Sequence, residues 1–158
     1  MQLITTLAAL LSLPLLGAAT GPSYIASPKN GTHVKPGAKF PFSYIPLGDY
    51  CQTSRIYNIY VYTSKPKSFA PAQTWITGTF LGQYSANEEG SIPGPDGPSS
   101  LTMPDFSKSP GGFGSGKTAS NIPVYLTVLE ETATCDAALG SRFALNYITL
   151  IYNATSSK

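Results

Sequence analysis

Residues 111–120, GGFGSGKTAS, contain Gly-x-x-x-x-Gly-Lys-Thr between Gly111 and Thr118. In nucleotide hydrolases this spacing cradles phosphate. Backbone N–H groups and the N-terminus of the following helix face the anion, and the Lys and Thr reach phosphate and magnesium. That chemistry requires a buried strand before the loop and a helix after it. Here DFSKSP precedes, and ASNIPVYLTV follows with Pro123 and a β-branched run that predict a strand. No helix can start at Lys117 and leave room for that strand, and no second strand ends in a suitably placed magnesium-binding Asp. The tract Gly111–Thr118 reads as a glycine-rich connector, so no nucleotide partner is expected.

Other chemistries lack parts. The single histidine, His33, lies in the turn NGTHVKPG, where a side chain is commonly exposed and idle. A hydrolytic triad would have to use it. One His without a spaced Asp cluster gives no metal-ligand set, so neither a metal nor any other cofactor is expected. Glu88–Glu89 and Glu130–Glu131 are adjacent pairs. Neighbours on a strand point to opposite faces, so Glu130 and Glu131 cannot work together. Glycoside hydrolysis needs two carboxyls flanking a cleft. Asp105, Asp136 and Glu130 remain as the residues of an alternative reading, a polysaccharide-active enzyme. No catalytic residue is assigned.

Ten Tyr, seven Phe and one Trp make aromatic contact the stronger candidate. In RIYNIYVYT, residues 55–63, Tyr57, Ile59 and Val61 share one face, which the Ile-Val pair marks as core. Ile56, Asn58, Tyr60 and Tyr62 share the other. Two arrangements are open for that second face. Either Tyr60 and Tyr62, with Trp75 nearby in sequence, contact a sugar or protein through flat apolar rings with polar tips, or a second sheet and the loop 87–100 cover them.

The elements that would hold these residues belong to a secreted protein. MQLITTLAALLSLPLLGAAT has an apolar run followed by small residues, the form of a signal peptide over residues 1–19, with one domain over 20–158. The run is short and holds Pro14, which argues against a membrane span, and the polar end IYNATSSK predicts no lipid anchor. Two cysteines, Cys51 and Cys135, are expected to form a disulfide in that compartment. Both lie in turns, LGDYCQTS and ETATCDAALG, so the bridge would staple two loops, without Trp75 packed on it. Asn30-Gly31-Thr32 and Asn153-Ala154-Thr155 are candidate N-glycosylation sites. Only 11% of residues are charged and the net charge is +2, with Lys and Arg scattered; nucleic-acid binding needs a concentrated basic surface.

No stretch of the mature chain shows a 3.6-residue period. Strands are predicted over 39–45, with Pro41 marking an edge or bulge, and over 55–63, 74–85, 100–106, 121–131 and 142–154. In 74–85, Gly78, Phe80, Gly82 and Tyr84 are expected on one face. Fifteen Gly and fourteen Pro cluster between these runs, as in SPKNGTHVKPGA, 87–100 and 107–120. The expected fold is all-β, an immunoglobulin-like β-sandwich of about seven strands with one loop-to-loop disulfide.

The opening SYIASPKNGTHVKPGAKFPFSYI resembles the first hairpin of immunoglobulin-like domains in fungal secreted proteins. In particular it resembles the N-terminal domain of the Ser/Thr-rich cell-wall glucan-assembly family. A leader followed by one sandwich is also similar to small necrosis-inducing secreted effectors. MPDFSKSPGGFGSG and YNATSS look like small secreted basidiomycete proteins. These resemblances imply a secreted, non-catalytic binding or interaction protein whose partner is an extracellular polysaccharide or a host or wall protein. A structural wall component is a further alternative. The resemblances carry over no catalytic residue.

Overall fold

The computed structural model describes residues 22–49, 52–67, 78–85, 97–106, 120–136 and 138–153. These residues form ten strands and no helix. The strands are β1 (Tyr24–Ser27), β2 (His33–Val34), β3 (Lys39–Pro41), β4 (Ser43–Ile45), β5 (Gly48–Asp49), β6 (Gln52–Tyr62), β7 (Gly78–Ser85), β8 (Ser100–Thr102), β9 (Ile122–Thr134) and β10 (Ser141–Tyr152).

Alternation builds the two longest strands. Val124, Leu126 and Val128 of β9 are fully buried, and their β10 partners Leu150, Ile148 and Asn146 lie on the same face. The turn between these strands is held by Thr134 Oγ, which donates to the Gly140 carbonyl at 2.7 Å, and by the Ala138 N–H, which donates to Asp136 Oδ1 at 2.9 Å. On its other side β9 pairs antiparallel with β6, and β6 carries β5 and β7 along its far edge. The sheet order is thus β2-β10-β9-β6-β5, with β7 also on β6.

The expected strand over 39–45 divides at Phe42. β3 pairs with β8, while β4 pairs with β1. Phe40, Phe42 and Tyr44 nevertheless all point inward, as their alternation predicts. Pro41 sits on the exposed face of β3, opposite Ser100, in a two-stranded sheet where its missing N–H is tolerated. Ile25, Phe40, Phe42, Tyr44, Leu101, Met103 and Phe106 from this side form one cluster with Ile59, Val61, Val124, Leu126, Val128 and Leu150 of the large sheet. At about 1.5–3 kcal/mol per buried large apolar side chain, this single cluster is the main driving term of the fold.

Two further findings depart from the sequence reading. β2 pairs in parallel with β10, Ile151 opposite His33 and Tyr152 opposite Val34. The run between the Asn-Gly and Pro-Gly turns is too short to show a period, so it read as turn alone. The second concerns β7. Ile59 is opposite Gly82 but Tyr60 is opposite Phe80, so Leu81 is an extra residue in a β-bulge. The bulge flips the alternation. Tyr84 faces the core and packs against Tyr57, ring centroids 5.7 Å apart and planes tilted by 32°, while Phe80 stands 54% exposed beside Tyr60. Phe80 and Tyr84 therefore do not share a face as the simple period predicts. Residues 74–77 of that expected strand, with Trp75, lie outside the described residues.

Candidate binding surface

The face of β7, β6, β9 and β10 turned away from the core carries four cross-strand rows, fixed by register. From one end to the other they read Ser85–Ile56–Glu131–Phe143, Gln83–Asn58–Leu129–Leu145, Phe80–Tyr60–Thr127–Tyr147 and Gly78–Tyr62–Tyr125–Thr149. The last two rows hold five aromatic rings. Tyr60 and Tyr62, two residues apart on β6, stack with centroids 5.5 Å apart and planes at 11°. Phe80 leans on Tyr60 at 5.3 Å, and Tyr125 meets Tyr147 edge-on at 6.1 Å. Aromatic pairs in such geometries contribute about 0.5–1.5 kcal/mol beyond the area they bury. Beneath them Thr127 is fully buried although it points away from the core, and its hydroxyl donates to the Tyr125 carbonyl at 3.3 Å.

Tyr60 and Tyr62 are half-buried, Tyr147 is 37% exposed and Phe80 is 54% exposed. Both tyrosines singled out in the sequence therefore reach the surface, within a larger cluster. The small residue opposite Tyr62 is required: a Cβ on Gly78 would run into the Tyr62 ring. After β6 the chain turns back over the sheet, and Lys65 Nζ lies 5.9 Å from the centre of the Tyr147 ring on β10. That cation–π contact is worth about 0.5–1 kcal/mol at an exposed site. Burial, with Tyr60 alongside, holds the Tyr62 phenol above the ordinary tyrosine value, so at neutral pH it is a hydrogen-bond donor. Beside the rings, Gln83 Nε2 donates to Asn58 Oδ1 at 3.0 Å. Asn58 Nδ2 and Gln83 Oε1 stay outside that bond. The arrangement offers apolar edges, phenolic hydroxyls and amides, a surface that holds a ligand by contact.

The residues of the enzymatic alternative are separated. Glu130 is fully buried on the core face of β9. It accepts from Tyr44 OH at 2.7 Å and from the Leu47 N–H at 2.8 Å. Asn146 Nδ2 donates to both Tyr44 OH and Ser23 Oγ, each at 3.0 Å. Asp136 is exposed just beyond Thr134, at one end of β9. Asp105 lies near Tyr152, which pairs with Ile122 at the other end. Twelve steps of strand at about 3.3 Å each place those ends about 40 Å apart. The three carboxyls do not converge on one cleft.

His33 is exposed on β2. Among the described residues no group of three His, Cys, Asp or Glu could hold a metal, and no helix is long and apolar enough to cross a membrane. Cys51, Trp75 and the tract Gly111–Thr118 lie outside the described residues, as does the expected signal peptide over 1–19. Tyr125, Tyr147, Phe80 and Lys65 were missed as surface residues. The alternation of β9 and β10 places both tyrosines off the core face, but only the bulge places Phe80 and only the tertiary path places Lys65. Neither the protein-family models nor the curated protein sequences compared with this chain match it.

Proposed function

We propose that this chain is a secreted, non-catalytic binding protein of a fungal cell wall or host interface, engaging an extracellular polysaccharide or a wall or host protein through the aromatic face of β6, β7, β9 and β10. The observation that carries this reading is the pair of aromatic rows on the side of the sheet opposite the core, with Phe80 and Tyr147 reaching solvent. An exposed apolar cluster with polar tips is the composition of contact surfaces.

An immunoglobulin-like sandwich is the architecture that best accommodates the pairing. The order β10-β9-β6-β7 matches the G-F-C-C′ sheet of a variable-type domain, and β1, β4 with β3, and β8 take the places of A, B and E. A disulfide between Cys51 and Cys135 fits the register. The last β6–β9 pair is Gln52 opposite Thr134, and the next residues in line are these two cysteines. This bridge would join two turns, away from the inter-sheet position of antibody domains. Connection 107–119 leads into a strand, β9, that pairs antiparallel on both sides, which supports the reading of Gly111–Thr118 as a connector.

The test is retention of the mature protein on chitin, β-glucan and wall fractions, and on host surface protein, beside a Tyr60→Ser/Tyr147→Ser variant. Binding lost at least tenfold in the variant, with an unchanged circular dichroism spectrum, supports the reading. Equal retention of both proteins, or none on any surface, refutes it. Glycan cleavage abolished by Asp105→Asn, Asp136→Asn or Glu130→Gln would support the enzymatic alternative instead.

A further inference from the structure

The asparagines of both candidate sequons, Asn30 and Asn153, stand at one corner of the sheet, and the fold treats them alike. Asn30 is exposed in the turn before β2, and its Oδ1 accepts the Thr149 N–H of β10 at 2.9 Å. Because a backbone N–H can only donate, the oxygen of the planar amide must face the strand. Nδ2 is then the atom left on the outside. Gly31, at φ +82, turns the chain back so that its own N–H donates to the Thr149 carbonyl at 2.7 Å, and Thr32 Oγ donates to the Lys29 carbonyl at 2.6 Å. Asn153 follows β10 directly. Its N–H donates to the Val34 carbonyl at 3.1 Å, and its Oδ1 accepts from Ser120 Oγ at 3.1 Å. Here too the oxygen is occupied, and Nδ2 stays outside that bond.

We propose that Asn30 and Asn153 both carry N-linked glycans, at Nδ2, and that the folded protein holds each modified amide by its oxygen. The assignment rests on the extracellular reading above, since the donor is a lipid-linked oligosaccharyl diphosphate of the secretory pathway. In the transfer Nδ2 loses one proton and bonds to C1 of the first sugar. The C1–oxygen bond to the diphosphate breaks, and the lipid diphosphate leaves with the bonding pair. The two attachment points are four strand residues apart along β10, about 13 Å. The glycans would therefore stand together at the β10 end of the Tyr62–Tyr125–Thr149 row, leaving the aromatic face open from the β6–β7 side.

The experiment expresses the full chain in a eukaryotic secretory host, once with its own leader and once with residues 20–158 behind an established leader. Site occupancy is read by glycopeptide mass spectrometry and by the gel shift on amidase deglycosylation. With the established leader, two glycans are expected. Asn30→Asp and Asn153→Asp should each remove one, and the double variant both. Asn30→Asp keeps an acceptor oxygen for Thr149, so this variant and the enzymatically deglycosylated protein, which also carries Asp there, should melt within about 2 °C of the glycosylated form. An unmodified Asn30 or Asn153 in the protein recovered behind the established leader overturns the assignment. Secretion failing only with the native leader would instead overturn the extracellular reading, and the assignment with it for the chain in its own cell, even where two glycans behind the established leader show both amides to be competent acceptors.

Discussion

Glu130 lies in the core, held by a phenol and a backbone N–H. Hydrogen bonds to a charged group contribute about 1.5–3 kcal/mol each, and a buried partner left unsatisfied costs about as much. Glu130→Ala removes the acceptor of both the Tyr44 O–H and the Leu47 N–H. It is expected to lower the unfolding free energy by at least about 3 kcal/mol in urea titration, whereas Glu130→Gln, which keeps acceptor capacity at its Oε1, should lose less than Glu130→Ala. Tyr44 adds a pH dependence. Burial is the first cause, with Ser23 opposing and the Glu130 charge reinforcing, and the net effect raises the Tyr44 phenol well above its ordinary value of 10.0. The folded state then binds this proton more tightly than the unfolded one. The stability it contributes is fully present below pH 10 and falls as pH rises above it. Tyr44→Phe should flatten that alkaline fall, read as the slope of unfolding free energy between pH 9 and 11. The alternation Val124, Leu126, Val128 runs on to Glu130, so its inward direction is legible in the sequence. Its partner Tyr44 is 86 residues away, and no local pattern connects them.

At the scale of the strand, β7 decides where the aromatic surface ends. Leu81 interrupts the pairing, and Gly82 beside it adopts φ +144, a region that L side chains rarely enter. A Cβ there would also lie 2.5 Å from Tyr84 OH. Gly82→Ala is expected to destabilise by about 1–3 kcal/mol. It should also disturb the near-ultraviolet circular dichroism of the Tyr57–Tyr84 and Tyr60–Phe80 pairs; an unchanged spectrum and denaturation midpoint would contradict this account of the bulge. Strands β9 and β10 were legible because they keep a period of two throughout. β7 was legible as a strand but not in its facing, because one inserted residue reverses every side chain beyond it. The break at Phe42 escaped for a different reason. All of 39–45 keeps its alternation while the backbone changes partner from β8 to β1, and pairing partners leave no mark on the pattern.

For the molecule as a whole, the all-β class follows from turn chemistry and alternation, and one core cluster joins the sheets. The candidate surface was half legible: Tyr60 and Tyr62 come from one strand, whereas Tyr125, Tyr147 and Phe80 join them through the register and Lys65 through the path of the chain. A bridge between Cys51 and Cys135 would close a loop of 84 residues, worth on the order of 4 kcal/mol in the chain-entropy model. Reduction should lower the thermal midpoint by about 8–16 °C in calorimetry, at about 2–4 °C per kcal/mol for a chain of this size. Cys51→Ser/Cys135→Ser should melt with the reduced protein, and a midpoint unmoved by reductant would count against the bridge. The parallel seam between β2 and β10 has a consequence for biosynthesis. His33 and Val34 leave the ribosome long before the residues they pair with, and β9 lacks one flank until β10 emerges. The early part of the chain then waits for its last partner, and closure of the large sheet becomes one of the last events in making the protein.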